Sequence, residues 1–153
     1  MTYIFTYLFQ FVISFIATIG FGIFFGAPFN SIIPTGFSGA ISWIVYYFFA
    51  NNLGGPIAAT FIASFCVGIF GEALAIKYRK PATVFITPGI VSLVPGAGTY
   101  YTMLYLVDKD FVNAANFGAQ TFFVAAAIAI GIVTASVFSR SIKNFKKRNR
   151  QNI

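Results

Sequence analysis

Between Met1 and Gly71 the sequence contains no Asp, Glu, Lys, Arg or His, and the first formal charge is Glu72. A water-exposed domain needs charged side chains across its surface, so the solvent along this stretch has to be lipid. Histidine is absent throughout, which excludes imidazole acid–base chemistry and the commonest metal ligand. The single cysteine, Cys66, has no partner for a disulfide within the chain and, midway along an apolar run, reads as a small packing residue. With three acids besides that thiol, no metal site is expected, and no cofactor either.

What is present is apolar. Hydrophobic residues make up 58% of the 153 and charged residues 8%, so the whole chain, not one anchor, is expected to lie in the membrane. A spanning helix needs about 20 apolar residues at ~1.5 Å each to cross ~30 Å of hydrocarbon. The length admits four to five such spans. The expected fold is all-α: a polytopic membrane helix bundle forming one domain over 1–139, followed by a basic tail over 140–153. The N-terminal run lacks a positive n-region and is too long for the usual apolar core of a leader, so it is expected to be the first span.

The net charge of +7 invites a nucleic-acid reading, which the positions of the charges oppose. Nine of the ten basic residues fall in two clusters, Lys77 to Lys80 and Arg140 to Arg150, each where an apolar run ends. Such placement sets topology during insertion, and a basic tail beside a bilayer is drawn to anionic lipid. No nucleic-acid partner is expected.

Five segments are predicted, over about 3–26, 36–50, 56–76, 82–107 and 117–138. Ala27-Pro28-Phe29-Asn30 and Asn51-Asn52-Leu53-Gly54-Gly55-Pro56 separate the first three as turns; an earlier start of the second is left open, with Pro34 making its entry irregular. Placing Lys77, Arg79 and Lys80 in the cytoplasm makes the third helix run inward. The fourth then leaves the acidic Asp108-Lys109-Asp110 outside, and the fifth returns the basic tail to the cytoplasm. Both clusters agree on a multi-pass protein of the cytoplasmic (inner) cell membrane, N-terminus out and C-terminus in. Small residues recur at helical spacing, as in Ser64 and Gly68 or Gly131 and Ala135. Such pairs let helix backbones approach closely in lipid, and packing within the chain is favoured over a subunit contact.

The stretch from Pro81 to Tyr101, PATVFITPGIVSLVPGAGTYY, is the most informative. Proline removes a donor and clashes with the preceding turn, while glycine loosens the backbone. Two Pro-Gly pairs seven residues apart, Pro88-Gly89 and Pro95-Gly96, are expected to interrupt the fourth segment twice and to act as hinges. Irregular backbone at membrane depth is tolerated only inside protein or along a wet cavity. Thr87 before Pro88 reads as an N-cap with proline at the first helical position, and Gly96-Ala97-Gly98-Thr99 reads as the start of a second half-helix. Helix starts of this kind attract carboxylates and recur as substrate sites in secondary transporters. Thr83, Thr87, Ser92, Gly96, Gly98, Thr99 and Tyr100 are therefore the candidate substrate-binding residues. Simple proline kinks in a packed helix are the competing explanation; the second Pro-Gly pair and the clustered hydroxyls weigh against it.

Glu72 lies four residues before the end of its apolar run at Ile76, about 6 Å inside it at ~1.5 Å per residue. A carboxylate at that depth suits a proton carrier or a partner for a substrate ammonium, and equally suits an interfacial acid paired with Lys77. Gln10, Asn51, Asn52 and Gln120 read as polar contacts between helices, and Trp43, Tyr46, Tyr47 and Tyr78 as interface anchors or packing.

Lys80-Pro81-Ala82-Thr83-Val84-Phe85, then Pro88-Gly89-Ile90, then Leu93-Val94-Pro95-Gly96 resembles the signature of the threonine/serine exporter family. The short length resembles its short membrane subunit, equivalent to the C-terminal membrane half of single-chain exporters. The likeness in segment order covers nearly the whole chain, with Glu72 to Tyr101 as the specific part. The resemblance implies export of threonine or serine, with dicarboxylates such as succinate in some split members, and a longer partner subunit. That partner would have the opposite orientation, giving an inverted repeat. The motif match covers Pro81, Thr83, Pro88, Gly89, Pro95, Gly96 and, more loosely, Tyr100. Ala97-Gly98-Thr99 departs from the glycine-rich or bulky run of many members. The rival reading is a non-catalytic scaffold or holin-like pore former, which small size and a basic tail fit and paired Pro-Gly breaks do not. An enzyme is not expected, because no nucleophile–base pair is found.

Overall fold

The computed structural model describes residues 2–53 and 55–151, with side chains over 4–52 and 55–142. All its regular structure is helical: α1 Thr2–Phe24, α2 Phe29–Leu53, α3 Pro56–Tyr78, α4 Thr83–Ile90, α5 Gly96–Val107 and α6 Phe111–Gln151, with a 3-10 turn at Val91–Leu93. Four of these helices are long and apolar enough to cross a membrane: Ile4–Phe24, Phe29–Asn52, Pro56–Tyr78 and Phe111–Ile142. The fifth candidate is composite, Thr83–Leu93 joined to Gly96–Val107 with a bend of 51°.

Three helix ends use one device, a residue in left-handed geometry closed by an N–H reaching five residues back. At Gly26 (φ 69°) the N–H of Ala27 donates to the Gly22 carbonyl at 2.9 Å. At Arg79 (φ 53°) the N–H of Lys80 reaches Ala75 at 3.1 Å, and at Lys109 (φ 61°) that of Asp110 reaches Tyr105 at 2.9 Å. Two predicted boundaries move. The second helix starts at Phe29, not near 36, and runs through Pro34. At its sixth residue this proline lies just past the first turn, whose N–H groups are unpaired anyway, and it costs the helix the bond to the Asn30 carbonyl. The last helix starts at Phe111, not near 117, because Asp110 caps it: its Oδ1 accepts from the Asn113 N–H at 3.2 Å and its carbonyl from the Ala114 N–H at 3.0 Å. The helix continues through the basic tail to Gln151; the side chains of Lys143, Lys146, Lys147, Arg148 and Arg150 lie outside the described residues, as do Asn152 and Ile153.

The helices pack by their small residues, as the spacing predicts. A Cβ on Gly131 would overlap Ser64 Oγ, and one on Gly68 would overlap the Ala135 methyl. Both residue numbers rise together, so α3 and α6 run parallel. The same kind of contact makes α1 and α2, α3 and α4, and α5 and α6 antiparallel. Gly36 meets Phe15 and Ile19 between α2 and α1, Gly71 meets Ile86 and Gly89 meets Val67 between α3 and α4, and Gly98 meets Thr121 between α5 and α6.

Parallel α3 and α6 have a topological consequence. A re-entrant loop between them would return the chain to the side it left and make them antiparallel. The bent pair α4–α5 therefore crosses as the fourth of five spans, and Lys77–Lys80 and Arg140 end on one side. The core lies where this broken span meets α3 and α6, around Ala63, Val67, Ile86, Leu93, Val124 and Ile128.

Candidate functional site

The break forms at the second Pro-Gly pair. Val94 is extended (ψ 129°) and Pro95 adopts φ −78°, ψ 60°, an inverse γ-turn closed by the Gly96 N–H donating to the Val94 carbonyl at 2.8 Å. From there α5 departs at an angle. Its first turn carries N–H groups that a helix leaves without internal acceptors, and Thr99 closes that turn, its N–H and its Oγ1 both donating to the Pro95 carbonyl at 3.1 Å.

The first pair behaves differently, which corrects the predicted cap. Pro88 lies inside α4 and Thr87 is a mid-helix residue; the N-cap position falls to Ala82. Pro88 withdraws the N–H that would reach the Val84 carbonyl. The helix absorbs this by tightening into the 3-10 turn after Ile90, with the Val91 N–H turned to the Pro88 carbonyl. Gly89 has a packing reason to be glycine, since its Cβ would lie 3.0 Å from Val67 Cγ1.

Beside the break lies a cavity of about 350 Å³. Ser92 to Pro95, Ala97, Gly98 and Tyr101 form one wall, Trp43 and Tyr46 of α2 with Pro56 and Thr60 of α3 another, and Phe117, Gln120, Thr121 and Val124 of α6 the third. Among the described residues no charged side chain lines it. The aromatic wall is held in place: Trp43 Nε1 donates to Gln10 Oε1 at 2.9 Å and its ring lies 5.2 Å from that of Tyr46. Opposite, Tyr101 and Phe117 lie 5.6 Å apart. The hydroxyls are anchored too, Thr60 on the Pro56 carbonyl and Thr121 on the Phe117 carbonyl, both at 2.7 Å, while Ser92 and Ser14 share a 3.2 Å hydrogen bond. Each oxygen keeps acceptor capacity. Aromatic faces, hydroxyls and a helix start in one apolar recess are the means by which small zwitterions are oriented.

The predicted residues divide into three groups. Ser92, Pro95 and Gly98 line this cavity. Thr83, Thr87 and Pro88 line a second one, of about 240 Å³, against Phe25, Gly26 and Ala27 of the first turn. Gly96, Thr99 and Tyr100 line neither, and Tyr100 is 64% exposed. Glu72 is half-buried and lies one turn beyond Gly68, which packs on α6. It is about 18 Å along α3 from Thr60 at ~1.5 Å per residue, so it does not join the cavity. Sequence reasoning missed Thr60, Phe117 and Thr121, counted Tyr101 only among the hydroxyls near the breaks, and read Trp43, Tyr46 and Gln120 as packing or contact residues. The spacing of Thr60, Ser64 and Gly68 marks a polar, small-residue face on α3, a signal that leads toward Thr60.

A family model described as threonine/serine exporter, ThrE, matches residues 10–138. That range contains every residue lining both cavities. No curated protein and no solved structure matches the chain.

Proposed function

We propose a transport function on the premise that this chain belongs to the threonine/serine exporter family: it is one subunit of a secondary exporter of small carboxylate-bearing metabolites, threonine or serine in the first place. The observation that carries the proposal is the cavity at the Pro95 break. In it the first turn of α5, around Ala97 and Gly98, receives the carboxylate. The faces of Trp43, Tyr46 and Tyr101 receive the ammonium, and Thr60, Ser92 and Thr121 meet the substrate hydroxyl. A dicarboxylate such as succinate is the alternative cargo. It fits the helix start and leaves the aromatic face unused, so the aromatic wall favours the amino acids.

In this reading Thr83 and Thr87 line a vestibule at the basic end of the bundle, on the far side of the 3-10 turn. Pro95 is the hinge between the half-helices, and Glu72 carries the coupling proton near the α3–α6 contact. The chain sits in the cytoplasmic membrane with its N-terminus outside and the basic clusters inside. A longer subunit of the same family completes the transporter as the opposite half of an inverted repeat.

The test is efflux of preloaded labelled threonine, serine and succinate from cells expressing this chain with and without the longer subunit. Saturable, uncoupler-sensitive efflux of one substrate, only with both present, is the expected result. Equal leak of all three would replace the exporter with a pore. In the same cells an impermeant maleimide should label Lys109→Cys and spare Arg140→Cys; the reverse pattern would invert the orientation.

A further inference from the structure

A third recess lies away from both cavities, between α2 and α3, with a volume of about 400 Å³. Its walls are Ile33, Phe37 and Ile41 on one side and Phe70 and Leu74 on the other, and the small residues Ser38 and Ala73 leave the slot between them. Phe37 and Phe70 are exposed along its edges, so it opens to the surroundings of the bundle. At one end stand Lys77 and Tyr78, the lysine Nζ 5.8 Å from the tyrosine ring centroid. Arg79 and Lys80 follow within three residues. Ser38 is 2% exposed, and its Oγ has no hydrogen-bond partner in the protein.

We propose that this slot is a binding site for an anionic phospholipid: one acyl chain lies between α2 and α3, and Lys77 holds the phosphate. The dimensions favour a single chain over a helix. From Ile41 to Ile33 the slot is about 12 Å long at ~1.5 Å per residue, and that length of a helix 10–12 Å wide would occupy roughly 900–1,400 Å³. The charge selects among lipids. Lys77 closes the slot at the bundle end that collects Arg79, Lys80 and Arg140, where a phosphate with no compensating choline or amine is favoured. A long lysine stem lies along apolar walls and presents its ammonium at the interface. The site is independent of the substrate cavity, so it stands or falls apart from the transport reading.

The test is native mass spectrometry of the full-length chain in detergent with equal phosphatidylglycerol and phosphatidylcholine. Phosphatidylglycerol should be retained in preference. Lys77→Gln, an exposed substitution that leaves the fold alone, should lower its occupancy about fivefold, the equivalent of ~1 kcal/mol per cation near an anionic surface. Ala73→Phe, which fills the slot, should remove bound lipid of both kinds, and Lys109→Gln, at the opposite end of the bundle, should change nothing. Equal retention of the two lipids, or unchanged phosphatidylglycerol in Lys77→Gln, would overturn the proposal. Protection of a cysteine at position 73 by a second protein chain instead of lipid would also overturn it.

Discussion

Replacing Ala97 with tryptophan is expected to lower substrate efflux by at least ~10-fold, a rise of about 1.4 kcal/mol in the barrier to transport, while the protein still inserts and accumulates. Ala97 lies in the first turn of α5, exposed, on the wall of the cavity beside the Pro95 break. An indole there occupies the space opposite Trp43 and Tyr46 and covers the N–H groups assigned to the carboxylate. The structural cost is small, since the site is open and the helix-propensity difference is below ~0.7 kcal/mol. Met103→Trp is the control: the residue is 62% exposed on the same helix and lines no cavity described above. Initial rates normalised to membrane abundance decide the matter. Equal rates for both variants would remove the cavity from the transport path.

The second large effect concerns stability. Gly131→Val should destabilise the bundle by about 3 kcal/mol, the upper end of the range for overpacking. The new Cβ would overlap Ser64 Oγ and lie 2.9 Å from the Phe61 carbonyl oxygen and 3.1 Å from the Phe65 nitrogen. The last two are backbone atoms and cannot move without shifting α3. Ser64→Ala therefore should not restore the variant fully. Gly20→Ala, where nothing lies within 4 Å of the added methyl, should leave the melting temperature nearly unchanged. Thermal unfolding in detergent would measure all three. A melting temperature for Gly131→Val equal to the parent's would mean that α3 and α6 do not pack in parallel at this register. The case for the bent pair as a full crossing would then fail with it.

The parts of the fold set by local chemistry were legible in the sequence. Uncharged runs of about 20 residues specify spans because lipid excludes charge, and small residues one turn apart foretold the Ser64–Gly68 and Gly131–Ala135 seam. The break at Pro95 was legible for the same reason: an extended residue before proline followed by glycine has few other conformations. Pro88 looked equivalent and is not, because the cost of a proline depends on which carbonyl loses its donor and whether the next turn can tighten. Pro34 illustrates the same point near a helix start. The cavity was half legible. Ser92, Pro95 and Gly98 belong to the break and share its signal. Trp43, Thr60 and Thr121 come from three other helices, and no pattern within a helix says which of its faces meets a bend elsewhere in the chain. The two candidate groups also separated for a geometric reason, since α4 and the 3-10 turn hold Thr83 and Thr87 away from the start of α5.

The most direct test of the proposed substrate site is protection of a single thiol. In a Cys66→Ala background, with the proposed longer subunit present, Ala97→Cys should react with a small methanethiosulfonate reagent, and saturating threonine or serine should slow that reaction at least ~10-fold, as expected for a site mostly occupied by ligand. The same substrate should not change labelling of Met103→Cys. Labelling at position 97 that no substrate slows, in membranes that still transport, would contradict a binding site at the Pro95 break.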